Sequence, residues 1–318
     1  MTSQLWRSTT AGVGGANQLI PLNFSIPARL TSSVVGINLV DKTTVQIPMN
    51  PPLILPDNCC IELIQASFSY TYPNIADSTA QLASIPFGNN RMTVTFGVNP
   101  AVDILVPTGL YSFGDVQQYL NSYAIGAGWV PPTAASQQLF ILSGIEATQQ
   151  LVITIDPLAL ASGVVPAGGI ILNFTNPSIV SGLNNSIGTI LGFPVAGAGA
   201  ILTVVAATTT PTSFQSPTSA DFAQISAYVL NMSIVTNSYR NSNTSQVLFS
   251  FPLGQFATNS VASWQSSLRF PVPCSGGTYS SVSIWLTDNV GNRLSWEYFQ
   301  SPFQFSALIS RVKADGSI

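Results

Sequence analysis

The sequence predicts an all-β fold, a sandwich or barrel carrying one short helix. Three observations carry that prediction. About a dozen short stretches alternate apolar with polar residues, or run β-branched, between turn residues. Only one stretch has clear helical periodicity, and 22 prolines are spread along the 318 residues. Many turn-bounded strands with almost no helix leave sheet-on-sheet packing as the way to bury a core. With 46% apolar residues, the chain has the material for one.

The first 25 residues are polar and glycine-rich (Thr9-Thr10-Ala11-Gly12-Val13-Gly14-Gly15) and are expected to form an N-terminal arm ahead of a folded domain over 26–318. Met1–Thr10 lacks the apolar run of a signal peptide. Strand signals follow. Thr43–Met49 alternates until Asn50-Pro51-Pro52, Cys60–Tyr72 is long and stops at Pro73-Asn74, and Arg91–Val98 and Val102–Pro107 precede a turn at Thr108-Gly109. The helix comes next. Ser112-Phe113-Gly114-Asp115 can cap it, Val116, Tyr119, Leu120 and Tyr123 share one face, and Gly126 and Gly128 end it.

Strands are then expected at Gln138–Leu142, Leu151–Ile155, Ile170–Phe174, Ile201–Ala206, Gln224–Thr236, Gln246–Phe251, Ser267–Val272, Ser281–Thr287 and Phe303–Val312. Ser186–Phe193 reads as one helical turn and a loop, and Asp288-Asn289-Val290-Gly291-Asn292 as a hairpin loop joining the last two strands. Ile190–Ala207 is uncharged and long enough to raise a membrane helix. Gly192, Pro194, Gly197 and Gly199 interrupt it and Thr203-Val204-Val205 ends it, so a loop running into a strand is expected.

Charged residues make up 7% of the chain, against roughly 25% in an average soluble protein. The surface must then be largely Ser, Thr, Asn, Gln and apolar atoms. Such a surface suits packing against neighbours, where each desolvated charge would oppose contact. Nine Lys and Arg are scattered singly and the net charge is −3, so no direct contact with nucleic acid is expected.

No histidine is present, which removes the usual general base, the commonest transition-metal ligand and every triad built on His. Cys59, Cys60 and Cys274 lack metal-site spacing and read as buried thiols of a reducing compartment. The twelve carboxylates offer no close pair in sequence, and the distant set Glu146, Asp156 and Glu297 reads as scattered solvated acids. Gly12-Val13-Gly14-Gly15 lacks the Lys and Ser/Thr of a phosphate loop. Asp288–Asn292 lacks the spacing and the downstream Glu of a calcium loop. Five sequons, at Asn23, Asn173, Asn184, Asn231 and Asn243, are the matches a chain rich in Asn, Ser and Thr produces by chance. Trp264, Trp285, Trp296, Tyr298, Phe299, Phe303 and Phe305 crowd the C-terminal region, as core, as subunit interface or as a sugar platform. No catalytic, cofactor or metal residue is expected.

Four segments, in order, carry a family likeness. Ile104-Leu105-Val106-Pro107-Thr108-Gly109-Leu110-Tyr111-Ser112-Phe113 and the helix through Leu120 form an "apolar-Pro-x-Gly-x-Tyr, then helix" element. Before it comes Cys60–Ile75, with Ser67-Phe68-Ser69-Tyr70 and the exit Pro73-Asn74-Ile75. After it come Ser186-Ile187-Gly188-Thr189-Ile190-Leu191-Gly192-Phe193 and then Ser283–Leu294 with Phe303-Gln304-Phe305. This order resembles the single jelly-roll penton and minor capsid proteins of virophages, polinton-like viruses and related large double-stranded DNA viruses. One departure is that the family often carries charges around the last hairpin, and here they are few. Trp129–Ser181 does not align, and 130–181 is a candidate inserted β subdomain.

The resemblance implies a single jelly roll of two four-stranded sheets. It implies a structural virion protein, assembled in the host cytoplasm, whose homopentamers sit at icosahedral vertices beside a major capsid protein of double jelly-roll capsomers, with other minor capsid proteins as further partners. Two alternatives stay open: a cement protein acting as dimer or trimer between or beneath capsomers, and a carbohydrate-binding module using the C-terminal aromatics.

Overall fold

The structure, a computed structural model, describes residues 19–77, 88–132, 137–175, 185–222, 225–236, 238–240, 243–253, 260–265 and 270–311. In chain order its elements are β1 (Ile20–Ile26), β2 (Asn38–Asp41), β3 (Thr44–Leu55), β4 (Cys59–Ser69), β5 (Arg91–Phe96), β6 (Val102–Leu105), α1 (Phe113–Gly126), β7 (Phe140–Ile145), β8 (Gln150–Ile155), β9 (Ile170–Asn173) and α2 (Gly188–Leu191). There follow β10 (Ile201–Val204), β11 (Thr212–Ser219), β12 (Ala227–Met232), β13 (Ser238–Arg240), β14 (Asn243–Ser245), β15 (Val247–Pro252), β16 (Val261–Gln265), β17 (Val272–Cys274), β18 (Gly277–Thr287) and β19 (Phe303–Arg311). The chain divides into two compact units, Met1–Tyr72 with Ile225–Ile318, and Pro73–Gln224.

The first unit is a jelly roll. Lettering β1, β3, β4, β12, β15, β16, β18 and β19 as B to I, one sheet runs B-I-D-G (β1-β19-β4-β16) and the other C-H-E-F (β3-β18-β12-β15). β17 adds to β4 and β2 to β3. All these pairings are antiparallel. Strand alternation sorts the faces. Leu22, Phe24 and Ile26 of β1 and Phe303, Phe305, Ala307 and Ile309 of β19 are buried. The two sheets meet through aromatic rings: Phe68 of β4 lies 5.6 Å from Tyr228 of β12 and 5.0 Å from Phe251 of β15.

Several sequence expectations need correction here. The arm was expected to reach residue 25, yet β1 starts at Ile20, because the alternation of Leu22, Phe24 and Ile26 pairs with β19 and fills the core. The rest of the arm, residues 1–18, lies outside the described residues. β3 runs past Asn50-Pro51-Pro52 to Leu55 instead of stopping there. The register with β18 slips between Leu53 and Pro48, so Pro51 and Pro52 fall in a bulge without partners on β18, where a missing N–H breaks no ladder.

The expected strand over Ser267–Val272 gives way to β17 at Val272–Cys274, with 266–269 outside the described residues. Asp288–Asn292 does not join β18 to β19 as a hairpin. The chain folds back on β18 itself, with a bridge between Thr287 and Arg293 and Leu294 N–H donating to the Leu286 carbonyl, before β19 joins the other sheet.

The second unit holds two antiparallel sheets, β10-β9-β5-β6 and β11-β8-β7. Its own core includes Val116, Leu120, Phe140, Ile153, Leu172 and Phe174. The segment 130–181 read as an inserted subdomain falls within this unit. The unit begins earlier, at Pro73, because β5, β6 and α1 share one core with β7–β11.

Helix α1 has the expected cap. Ser112 accepts from the Asp115 N–H, and Asp115 accepts in return from the Ser112 N–H, a reciprocal capping box. The stretch raised as a membrane helix holds the end of one short turn, α2, closed by left-handed Gly192, and the strand β10. Among the described residues no helix is long and apolar enough to cross a membrane.

Candidate functional site

The residues weighed for chemistry do not converge. Glu297 pairs with Lys42 at 3.7 Å, Asp156 caps a short 3-10 turn through the Leu158 N–H, and Glu146 lies in an exposed turn. Among the described residues no group of three or more His, Cys, Asp or Glu could hold a metal ion. Asp288 is buried and saturated: its Oδ1 accepts from the N–H of Val290, Gly291 and Asn292, and its Oδ2 from the Asn292 side chain. That arrangement builds a turn and leaves little room for a cation. Of the seven C-terminal aromatics, Trp296, Phe299, Phe303 and Phe305 are buried in the core, and Trp285 is half-buried with the Arg293 guanidinium 5.1 Å from its ring. The four buried rings belong to the core and are closed to a sugar.

The segments that carried the family likeness act as fold determinants. Asn74, from the exit of the long strand, receives a hydrogen bond from the Tyr111 N–H and donates to the carbonyls of Tyr111 and Phe222. Ile75 and Gly109 exchange backbone hydrogen bonds. The Pro-Asn-Ile exit and the Pro-x-Gly-x-Tyr turn are thus one joint. In the Ser186–Phe193 loop, Gly192 has φ +78, and a Cβ there would lie 2.4 Å from the Thr218 carbonyl oxygen, so only glycine fits. A Cβ on Gly188 would lie 2.9 Å from the Phe174 Cβ, a looser approach that still leaves no room for it.

What remains is a surface: the outer face of the B-I-D-G sheet. Register places two rows of uncharged polar residues across its four strands. One row is Ser25, Gln304, Ser67 and Ser263; the other is Asn23, Ser306, Gln65 and Gln265. Side chains bond along the rows. Gln304 donates to Ser25 at 3.3 Å, Ser306 to Asn23 at 2.6 Å and Gln65 to Ser306 at 3.4 Å. Most of these residues line a groove of about 350 Å³ that has no ionisable group in its walls. The groove can donate and accept hydrogen bonds, and its walls hold nothing that takes up or releases a proton near neutral pH. It suits wet, polar contact with another protein surface.

These rows escaped the sequence reading. Their residues lie near positions 25, 65, 265 and 305 and become neighbours only through long-range pairing. The one local signal was the Ser/Asn/Gln alternation opposite the apolar residues of each strand. Of the sequons, Asn23 belongs to this face and Asn231 is buried.

No family model and no curated protein matches the chain. Among solved structures, the crystal structure of the selenomethionine-labelled mavirus penton protein is similar, at 11% identity and a TM-score of 0.42, over 92% of this chain and 99% of that one.

Proposed function

We propose that this chain is a structural virion protein, the penton subunit of an icosahedral capsid. Five copies close a ring at each vertex, held by capsomers of a separate major capsid protein. The observation that carries the reading is the B-I-D-G/C-H-E-F pairing with a groove on the outer B-I-D-G face whose walls hold no ionisable residue. A ring uses a head-to-tail contact that closes by rotation. A sheet face of short Ser, Asn and Gln side chains enters such a contact with less desolvation penalty than charges would bring. The 7% charge content extends that property over the chain, and the ordered motifs resembling penton proteins point the same way.

Light scattering on the purified protein, alone and with the major coat protein, tests the proposal. A discrete fivefold mass in either condition is expected. Ser67→Arg and Ser306→Arg, which put charge into the rows, should abolish that mass while leaving the folded monomer intact. A dimer or trimer in both conditions would overturn the vertex role in favour of a cement protein. A monomer indifferent to the coat protein would overturn any capsid role.

A further inference from the structure

We propose that Cys59 and Cys274 are the two halves of a disulfide that staples β4 to β17 when the protein meets an oxidising environment. They are direct partners in the antiparallel register of the two strands. Opposed residues in such a ladder sit about 4.5–5.5 Å apart at Cα, inside the 4.4–6.8 Å range of disulfides. The two sulfurs are 2.6 Å apart, closer than unbonded sulfurs pack and about half an ångström beyond a covalent S–S bond of ~2.05 Å. Neither strand has to move to bring the atoms together.

The odd cysteine count is then accounted for. Cys60 follows Cys59 along β4 and so points to the opposite face, and its register partners are Pro273 and Ser310. It remains a single thiol while its neighbour pairs. The sequence separation of 215 between Cys59 and Cys274 makes the closed loop long, so the restriction on the unfolded chain would be large.

The chemistry needs a two-electron oxidant, and a small-molecule disulfide of the glutathione class supplies it. One cysteine, as its thiolate, attacks that disulfide and forms a mixed disulfide, releasing the first small thiolate. The second cysteine attacks the protein sulfur of the mixed disulfide, the Cys59–Cys274 bond forms, and the second small thiolate leaves. The two protons shed by the cysteines end on the two released thiols, and two electrons have passed to the oxidant. Burial, and then the neighbouring Cys59, push the Cys274 thiol well above its ordinary value, so the folded reduced protein reacts slowly and the bond forms as the strands assemble.

The test is non-reducing peptide mapping of the full chain made in an oxidising and in a reducing host cytoplasm, for wild type, Cys60→Ser and Cys59→Ser. In the oxidising host, wild type and Cys60→Ser should yield the peptides of residues 59 and 274 linked, lighter by two hydrogens, and Cys59→Ser should yield none. The oxidised form should melt roughly 5–10 °C above its reduced form. Free, alkylatable cysteines in Cys60→Ser from the oxidising host would overturn the proposal. Equal linkage in Cys59→Ser would also overturn it, because Cys60 would then be the partner. The readout is independent of oligomeric state, so it stands or falls apart from the vertex role.

Discussion

Asp288 holds three successive backbone amides and one side-chain amide on a single carboxylate, all within the turn that follows β18. Removing that acceptor leaves partly buried donors with no partner, which costs about 1–3 kcal/mol in total. Asp288→Ala should lower the denaturant midpoint accordingly with an unchanged slope, and Asp288→Asn, which keeps one acceptor oxygen, should lose less. The sequence already showed these residues to be a turn. It did not show which strand the turn served, because Arg293 and Leu294 fold back on β18 while the aromatic alternation of Phe303 and Phe305 belongs to another sheet. Gly192 teaches the same lesson. Its place in a Gly-rich loop was plain, and the Thr218 carbonyl that forbids any other residue lies on a strand 26 positions away.

The cap of helix α1 and its core contacts Val116 and Leu120 were readable because their signals are local: a Ser-x-x-Asp box, an apolar face and glycines at the end. Its second role was hidden. β7 borders its three-stranded sheet, and the helix satisfies that open edge. Asn121 donates to the Phe140 carbonyl and accepts from the Phe140 N–H, while Gln117 accepts from the Leu142 N–H. An edge left open would be a template for pairing with other chains. Asn121→Leu should destabilise the protein by roughly 1–3 kcal/mol and raise its tendency to aggregate on mild heating, measured by calorimetry and light scattering. β11 went unread for a different reason. Thr212–Ser219 offers one large apolar residue, Phe214, and a proline, so neither period nor composition marks it, and its pairing with β8 supplies the order. β1 did carry the alternation, but its glycine-rich prelude drew the boundary too late.

The absence of histidine shapes the pH response of the folded chain as a unit. No side chain has an ordinary pKa between about 5 and 7, so stability should stay flat there. Below, it should fall. Hydrogen bonding from Arg91 holds the Asp103 carboxyl below its ordinary 3.8 despite partial burial, with Thr93 assisting. For Asp41 burial pushes upward, and the hydrogen bonds from Thr43 and Thr44 outweigh it, so that carboxyl is lowered too. A depressed carboxyl contributes stability that is fully present above 3.8 and is lost as pH falls through its folded value. Acid titration followed by circular dichroism should therefore show a plateau from roughly pH 5 to 7 and a loss below 3.8, and Asp103→Asn should flatten the acid limb. An earlier decline, near pH 6, would point to a titrating group these assignments overlook.

The place where the second unit enters the chain has a consequence for engineering. It occupies the D-to-E connection, leaving the roll at Tyr72 and returning at Ile225. The roll ties its own side of that gap together: the Tyr72 N–H donates to the Tyr228 hydroxyl at 3.3 Å, and the Tyr70 and Tyr228 rings meet edge to face. The roll's ends at this connection are therefore tied by contacts within the roll itself. A foreign domain whose ends lie close together should be accepted there as cargo, while the eight strands that define the roll keep their register.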